Sequence, residues 1–455
     1  MNVSRFVSLI CVFAVSTRVL AKEELLGLAD PANWQQPPSN ATLIAAAPPA
    51  GRDGRAGAVL QFTTDQGRLF YTRTGCLTGD LAQAEALTFW VYRAPGEATA
   101  TNYPVIEVQF LEPDGRAKFW RRLDLRETGW SQQIVPLRFM AWSPQRSPRW
   151  QNVRHLGLYF RTPATLWLEA LTLTRDTGTN ATFSAKELAN IAFPATAPAA
   201  VQVADKPEFL LLTDAPQLDL NQLEDRLQKF LRTARTDLPF LGAPVTRPVL
   251  LIFQQPTDYQ QFTPRYAKLL NLTGAPPTSG GYTVQAIATS AWDPAQGTLR
   301  PVYVHEFAHA WLDRVAALPS GASDWLQEGF ANHYQLVFHP QTNFPQIVRD
   351  GIARANAHLP LEQLCSGKRV PLNRYWQAAT VFRFLLTSPK YKQHLPALFA
   401  AFQKTASTDL APHLGSILKT DWEQFTADWL EFCRQVEGGG PPSANSANRS
   451  RSVFD

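Results

Sequence analysis

The first part of the chain alternates apolar and polar residues in short runs. Residues that favour turns separate the runs, as Pro113, Asp114 and Gly115 do between two of them. The runs predict β-strands over residues 87–93, 105–111, 119–125, 134–139, 155–160 and 165–174. Several short strands joined by turns are typical of an antiparallel sandwich. The pattern therefore predicts an all-β jelly-roll sandwich over residues 23–175.

The hydrophobic pattern changes in the second half of the chain. Residues 209–213 and 249–253 are short apolar runs that predict buried strands, and apolar residues between 218 and 236 recur with the spacing of a helix. Residues 280–288 predict a further strand, which begins at two glycines, and after it the pattern is mostly helical. These elements predict a second domain over residues 207–436, α+β and mostly helical, so the chain is expected to be multi-domain.

Some segments fall outside these two domains. Residues 176–206 are rich in Thr, Asn, Ala and Pro, which predicts a linker, and the polar residues 437–455 predict a disordered tail. Residues 1–21 combine a basic start, an apolar run of ten residues and small residues before Lys22, as a secretory signal peptide does. The apolar run is too short to span a bilayer. We therefore expect cleavage after Ala21, a secreted or periplasmic protein and no stable membrane span.

Length, charge and cysteine content narrow the function classes. The 455 residues suit two or three domains, and 43 basic against 38 acidic residues leave a mild positive charge. No dense Lys/Arg cluster is interleaved with aromatic residues, so nucleic-acid binding is not expected. Without the signal peptide the chain keeps Cys76, Cys365 and Cys433, an odd number. The sequence leaves open whether Cys365 pairs with Cys433.

The segment from His305 to His309 carries the most specific chemistry. Histidines four residues apart on a helix share one face and lie close enough to bind one metal ion, and Glu306 between them can point toward a metal-bound water. Glu328 follows His309 with eighteen residues in between. Two His and one Glu are a recognised ligand set of catalytic zinc. The spacing therefore predicts a catalytic zinc site.

Alternative ligand sets were weighed against this one. The metzincin motif needs a third histidine six residues after His309, but that position holds Val315, which cannot bind a metal. His333 is a rival ligand, yet it lies outside any motif, and we expect it to have a core or surface role.

The two motifs together carry a family resemblance. Residues 305–309 (His-Glu-Phe-Ala-His), followed by Glu328 within Trp-Leu-Gln-Glu-Gly-Phe-Ala, resemble the gluzincin metallopeptidases, closest to the aminopeptidase N branch and its peptidase-MA-like domains. The resemblance covers about residues 207–435. It implies that His305, His309 and Glu328 hold one catalytic Zn²⁺ and that Glu306 is the general base.

The family also uses a tyrosine on a later helix to stabilise the oxyanion. By the resemblance this residue is Tyr375, which begins an amphipathic helix downstream of Glu328; Tyr334 and Tyr391 are weaker matches, and a purely structural role for Tyr375 stays open.

One departure from the aminopeptidase branch concerns substrate specificity. That branch carries a Gly-x-Met-Glu-Asn segment upstream of the zinc helix, whose Glu holds the substrate's free amine. This chain has Gly281, Tyr282 and Thr283 at the comparable place, without an acid. The strand can still pair with an extended peptide. We therefore expect these three residues to bind a protein or peptide substrate. The missing acid favours an endopeptidase, or a protein without peptidase activity, over an aminopeptidase.

The N-terminal strands carry a second, more diffuse resemblance. Residues 87–91, Gly129 with Trp130, residues 150–158 and residues 166–173 resemble galactose-binding-like jelly rolls, a group that contains many carbohydrate-binding modules. The resemblance implies a possible carbohydrate ligand. Tryptophans are suited to stacking on sugars, although core packing is the expected role of most of these: Trp90, Trp120, Trp130, Trp142, Trp150 and Trp167.

Two functions follow from these observations. The main expectation is a secreted zinc metallopeptidase that hydrolyses peptide bonds, with Glu306 as the general base. The alternative is a glycan- or surface-binding protein with a catalytically inactive gluzincin-like domain. Retention of Glu306, which is not needed to bind zinc, argues against the alternative.

Overall fold

The computed structural model describes residues 21–24, 28, 30–35, 41–49, 59–77, 81–95, 103–115, 117–142, 148–175, 183–244, 246–316, 318 and 323–437. The predicted signal peptide, apart from Ala21, and the predicted tail, apart from Glu437, lie outside these residues. Within the described part, no helix combines the length and the apolar character that a membrane crossing requires.

Two antiparallel sheets form the N-terminal part. Their strands are β1 (Ala21–Glu24), β2 (Trp34–Gln35), β3 (Ala41–Ala46), β4 (Val59–Thr64), β5 (Arg68–Thr72), β6 (Ala86–Arg93), β7 (Val105–Leu111), β8 (Lys118–Asp124), β9 (Gly129–Pro136), β10 (Ala141–Trp142), β11 (His155–Phe160) and β12 (Ala164–Arg175). One sheet has the order β3-β4-β12-β6-β9, with β1 also paired to β12, and the other has the order β10-β8-β7-β11-β5-β2. The predicted all-β sandwich is confirmed.

The core of the sandwich lies between the two sheets and contains a group of aromatic rings among aliphatic side chains. The Phe62 ring lies 5.0 Å from that of Phe70, and the Phe70 ring lies 5.6 Å from that of Phe160. The Trp150 ring stacks on Phe119 at 3.8 Å between centroids. Because successive side chains of a strand point to opposite faces, each of these strands gives one row of side chains to this core.

The expectation of core packing is wrong for several of the tryptophans. Trp150 is buried, and Trp142 and Trp120 pack against apolar clusters. Trp90, Trp130 and Trp167 instead lie on the outer face of the first sheet and are partly exposed. Strand alternation is the reason, since their neighbours along the strands already fill the inner face.

The second part is built on a mixed sheet with helices around it. Its strands are β13 (Gln202–Asp205), β14 (Leu210–Thr213), β15 (Val249–Phe253), β16 (Gly281–Val284) and β17 (Ile287–Ala291). Its helices are α1 (Ala185–Ala192), α2 (Leu220–Asp237), α3 (Pro256–Leu269), α4 (Pro301–Ala316), α5 (Trp325–Phe338), α6 (Phe344–Ile352), α7 (Leu361–Leu364), α8 (Tyr375–Thr387), α9 (Pro389–Lys392), α10 (Leu395–Thr405) and α11 (Trp422–Phe432). The predicted mostly helical C-terminal region is thus confirmed.

The mixed sheet has the order β13-β14-β15-β17-β16. Strands β14, β15 and β17 are parallel, and the two edge strands are antiparallel to their neighbours. Leu250 and Ile252 of β15 pack in one core with α2 and α4, whereas Leu251 and Phe253 pack in another with α1 and α3. The sheet is therefore covered on both faces, which explains why β15 is a continuous apolar run.

Two segments differ from the sequence-based expectation. The expected linker contains α1, which begins with a capping box between Ser184 and Glu187, and strand β13 of the mixed sheet. The single strand expected over residues 280–288 is a hairpin of β16 and β17. Gln285 and Ala286 turn the chain with φ of 49° and 58°, a conformation that non-glycine residues adopt only rarely.

The sandwich and the second part share an apolar contact. Phe139 and Ala141 from the sandwich pack in the same cluster as α1, α3 and β15. Arg149 donates a hydrogen bond to the backbone oxygen of Val315 at 2.8 Å. The C-terminal end of α4 therefore lies against the sandwich.

Candidate functional site

Helix α4 presents its two histidines to a cleft because the rest of the helix is held in the core. Tyr303, Phe307 and Trp311 have no exposed surface, and the Phe307 ring makes edge-on contacts with Phe209 and Phe230. These anchors fix the rotation of the helix. His305 and His309, one turn apart, consequently face the cleft beside the mixed sheet.

Helix α5 brings Glu328 to the same place. Asp324 caps the helix by accepting hydrogen bonds from the backbone N–H groups of Leu326 and Gln327 at 2.9 and 3.0 Å. The Thr408 hydroxyl donates to the second oxygen of Asp324 at 2.7 Å. Asp324 is buried, so the cap is rigidly held and sets the position of Glu328 in the first turn.

Helix α8 approaches α5 closely at Gly329. A Cβ on Gly329 would lie 2.6 Å from the backbone oxygen of Ala378. Only glycine allows this separation, and the close approach places Tyr375, at the start of α8, on the wall of the cleft.

The three predicted ligands come together. The Nε2 atoms of His305 and His309 are 3.2 Å apart. The Oε2 atom of Glu328 lies 3.5 Å from Nε2 of His305 and 3.7 Å from Nε2 of His309. Among the described residues, these side chains form the group of His, Cys, Asp and Glu able to hold a metal ion, and His333 is not part of it.

These separations can be tested against a zinc ion. Zinc–nitrogen and zinc–oxygen bonds of 2.0–2.2 Å in a tetrahedron place neighbouring ligand atoms about 3.3 Å apart, close to the separations of His305, His309 and Glu328. The Oε2 atom of Glu328 is buried and, within the described part of the chain, has no hydrogen-bond partner. A buried carboxylate oxygen left in this way needs a cation or a proton. The residues present therefore fit a zinc ion.

The pKa values of the three ligand side chains favour one proton in the site, which His309 holds beside the Glu328 carboxylate. Burial lowers the pKa of His305 to about 4, and the neighbouring His309 acts in the same direction. Burial also opposes the charged form of His309, but the Glu328 carboxylate outweighs it and raises the pKa of His309 to about 9. For Glu328, burial is outweighed by His309, which lowers the carboxyl pKa to about 2. A divalent cation can take the place of the proton that His309 holds.

Gln327 supports His309 from behind. Its Oε1 atom lies 3.3 Å from Nδ1 of His309, so the ring donates there and keeps Nε2 free as a ligand. Gln327 Nε2 in turn lies 3.5 Å from Oδ1 of Asp313, a buried acid. Neither Gln327 nor Asp313 was predicted from the sequence. The sequence offered one signal for them: Gln327, next to Glu328, and Asp313, one turn after His309, are polar residues at positions expected to be buried.

Glu306 lies between the ligands and the edge strand β16. The Thr283 hydroxyl is 2.9 Å from both the backbone oxygen and Oε2 of Glu306. Gly281 lies on the other side, where a Cβ would come within 3.0 Å of Oε1. Burial raises the pKa of the Glu306 carboxyl to about 7. A carboxylate with this pKa suits general base work near neutral pH.

Tyr375 is the candidate tyrosine that reaches the site. Its ring is nearly parallel to that of His305, 6.5 Å away between centroids. Burial raises the pKa of its hydroxyl, and Glu328 adds to this, so the hydroxyl stays protonated. The two weaker candidates lie elsewhere, because the hydroxyl of Tyr334 bonds Asp237 and that of Tyr391 bonds Asp428.

The three predicted substrate-binding residues, Gly281, Tyr282 and Thr283, all line the cleft. The cleft has a volume of about 940 Å³, and β16 is the last strand of the sheet beside it. In a hairpin with a two-residue turn, Val284 and Ile287 form a hydrogen-bonded pair, so the N–H and C=O of Thr283 point to the open edge. Tyr282 points the other way, and its hydroxyl bonds Thr263 of α3.

The three cysteines that the structure describes, Cys76, Cys365 and Cys433, take no part in the site. Cys365 is a buried free thiol, so the disulfide bond to Cys433 that the sequence left open does not form. Cys76 lies in the sandwich, where its sulfur contacts the backbone oxygen of Asn33 at 3.7 Å.

Comparison with known proteins concerns the sandwich. It resembles the family 11 carbohydrate-binding module of a cellulosomal cellulase of Clostridium thermocellum, at 9% identity and a TM-score of 0.27 over 34% of this chain and 96% of that chain. A family 22 carbohydrate-binding module of Clostridium thermocellum Xyn10B is 9% identical, with a TM-score of 0.23 over 35% of this chain and 93% of that chain. No protein-family model and no curated protein matches the chain.

Proposed function

We propose that this protein is a secreted zinc-dependent metallopeptidase that cleaves within polypeptides. The observation that carries the proposal is the convergence of His305, His309 and Glu328, whose ligand atoms lie within 4.8 Å of one another. Glu306 is held beside them by Thr283. Two histidines, a carboxylate ligand and a separate acid are the parts that hydrolysis by a zinc peptidase requires.

Zinc, when bound to these residues, supplies Lewis acidity toward a carbonyl oxygen and toward water. Glu306 then has two duties. Its carboxylate accepts a proton from the attacking water and later gives the proton to the departing amine. Thr283 keeps the carboxylate in place, and Gly281 packs against the other side of the Glu306 side chain.

Tyr375 and the edge strand act on the substrate. The protonated hydroxyl of Tyr375 is placed to donate a hydrogen bond to the oxygen that becomes negative in the transition state. The N–H and C=O of Thr283 are free to pair with an extended peptide, which would lie along β16. No acid on β16 is available to hold a free amine, which favours cleavage inside a chain over removal of a terminal residue.

The experiment that tests this function is cleavage-site profiling with the secreted chain. A peptide library and casein are incubated with the zinc-loaded protein and with its Glu306→Gln variant, and the products are identified by mass spectrometry. We expect internal cleavages by the first and at least a thousandfold fewer by the second. A protein that holds zinc but cleaves neither substrate class would instead support an inactive domain.

A row of aromatic residues favours a second function for the sandwich, the binding of carbohydrate. Trp167, Tyr92 and Trp130 are direct cross-strand neighbours on β12, β6 and β9. The Tyr92 ring lies 5.5 Å from each of the two tryptophan rings. All three are partly exposed on the outer face of the sheet, and such rings stack well on the apolar faces of sugars.

Glycan binding is tested on the same chain. A glycan array is probed with the full chain, with Trp130→Ala and with the control Ile134→Ala, since Ile134 is 59% exposed on the same strand and is not aromatic. We expect binding that the tryptophan variant weakens at least tenfold and the control leaves unchanged. Equal binding by all three, or none by the wild type, would remove this function.

A further inference from the structure

A cavity of about 230 Å³ lies between the sandwich and the second part of the chain, away from the metal cluster. Trp142 and Trp150 line it from the sandwich. Tyr266 of α3 and Arg314 of α4 line it from the other side. Arg314 is near the end of the helix that carries His305 and His309, five residues after His309.

The Arg314 side chain lies in this cavity with weak partners. Its guanidinium carbon is 4.3 Å from the centre of the Trp142 ring. Its two terminal nitrogens are 3.4 Å from the Thr246 hydroxyl and 3.5 Å from the Gln285 backbone oxygen, which are long for hydrogen bonds. Its Nε atom is buried without a partner among the described residues.

Among the described residues, no carboxylate contacts the Arg314 guanidinium directly. The adjacent Asp313 acts on Arg314 electrostatically, but its carboxylate contacts Gln327 on the side of the helix that faces His305 and His309. The other cations of the cavity wall are neutralised, because Arg138 pairs with Glu187 at 3.0 Å and Arg247 pairs with Asp205. Of the described cations that line the cavity, Arg314 is therefore the one that no carboxylate contacts directly.

The rest of the cavity wall is largely apolar. Its apolar members come from both parts of the chain: Phe119, Leu137, Met140, Leu188, Val249 and Ile287. The Arg314 guanidinium is partly buried against this wall and makes only the two long hydrogen bonds given above. An inorganic anion would satisfy Arg314 and leave the apolar wall unused, whereas an organic anion uses both.

We propose that this cavity binds a small organic carboxylate. The carboxylate group accepts hydrogen bonds from the Arg314 guanidinium in a two-pronged arrangement. The apolar body of the ligand, of the size of one aromatic ring system, lies between Trp142 and Trp150. Because the walls belong to both parts of the chain, the ligand ties the sandwich to the end of α4.

The test compares acids with their neutral amides. Isothermal titration of the full chain uses indole-3-acetate and benzoate as the acids, and indole-3-acetamide and benzamide as the controls. We expect each acid to bind at least about tenfold more tightly than its amide, since a hydrogen bond to a charged group contributes that much. The titrations of the wild-type protein can already overturn the proposal. They do so if the acids fail to bind at millimolar concentration, or if the acids bind no more tightly than the amides.

Variants locate the site. In Arg314→Gln we expect acid and amide to bind with about equal affinity. Arg247→Gln removes a cation that is already paired with Asp205, so this variant should keep the preference for the acid. Trp142→Leu keeps the charge and is expected to weaken acid and amide alike. A preference that survives Arg314→Gln, checked by circular dichroism to be folded, contradicts the assignment.

Discussion

The backbone of Gly281 lies directly against the side chain of Glu306. A Cβ at position 281 would come within 2.8 Å of Cγ and 3.0 Å of Oε1 of Glu306, and within 2.6 Å of Cγ2 of Val302. Real side chains do not approach so closely, so the edge strand and the candidate base are in contact only because this residue is glycine. The strand proposed to hold the substrate and the carboxylate proposed to activate the attacking water are therefore packed directly against each other.

Replacing this glycine is expected to harm catalysis more than metal binding. Gly281→Ala displaces the Glu306 carboxylate or the strand by several tenths of an ångström, and we expect kcat/KM to fall at least about tenfold. The zinc content should stay at that of the wild type, because no ligand is touched. Gly280→Ala is the matched control, since its Cβ would meet only the end of the Arg300 side chain. Equal losses in both variants would contradict the contact's role.

Gln327 is expected to control zinc affinity. Gln327→Leu removes the acceptor at 3.3 Å from Nδ1 of His309 and keeps a similar volume. Loss of such an outer partner lowers metal affinity about 10- to 100-fold. Competition with a chelator measures the affinity, and activity at saturating zinc should remain within a fewfold of wild type. The exposed Gln346→Leu serves as the control; an unchanged zinc affinity in Gln327→Leu would show that the ring is oriented by other groups.

The hydroxyl of Tyr375 is expected to act in the transition state. Tyr375→Phe should lower kcat by about 100- to 1,000-fold, as removal of an oxyanion donor does, with KM and zinc content little changed. Tyr391→Phe removes a hydroxyl that bonds Asp428 away from the cleft and should leave kcat unchanged. If Tyr375→Phe retains full kcat, the residue has the structural role that the sequence left open.

His333 is expected to make the protein less stable in acid. Burial, with Arg383 adding to it, lowers the pKa of His333 from 6.5 to about 3. Between these pH values His333 is neutral in the folded protein and protonated in the unfolded chain. Stability contributed by the neutral ring is therefore present above pH 6.5 and is lost as the pH falls toward 3. Between neutral pH and about pH 4.5 this amounts to about 3 kcal/mol. Urea unfolding at both pH values should show a smaller acid loss in His333→Phe; parallel losses would contradict the assignment.

The sequence predicts that His305, His309 and Glu328 come together, because the spacing that brings them together is local. Spacing along one helix places His305 and His309, and a motif with its own recognisable flanks supplies Glu328. The roles of Gln327 and Asp313 could not be predicted in this way. They depend on how α4 packs against α5, and neither spacing nor composition indicates that packing. Tyr375 was preferred over Tyr334 and Tyr391 by motif position, and it lies at the cleft only because Gly329 lets α8 come close.

The fold shows the same division. Alternation predicted the sandwich strands but not which face is inner, so it could not show which tryptophans, such as Trp130 and Trp167, lie outside the core. The hairpin of β16 and β17 was missed because its turn uses Gln285 and Ala286 instead of the glycine or asparagine that signals such a turn. Helix α1 was not predicted, because the alanine and proline content of residues 176–206 favoured a linker.

The most direct test of the central proposal is the zinc dependence of peptide hydrolysis. The rate for one quenched peptide that the enzyme cleaves is measured for the native chain, after chelation, and after zinc is restored, with Glu306→Gln at equal zinc occupancy. We expect no cleavage after chelation, full recovery with zinc and a rate at least about a thousandfold lower in the variant. Cleavage by the metal-free protein, or an equal rate in Glu306→Gln, would contradict the account.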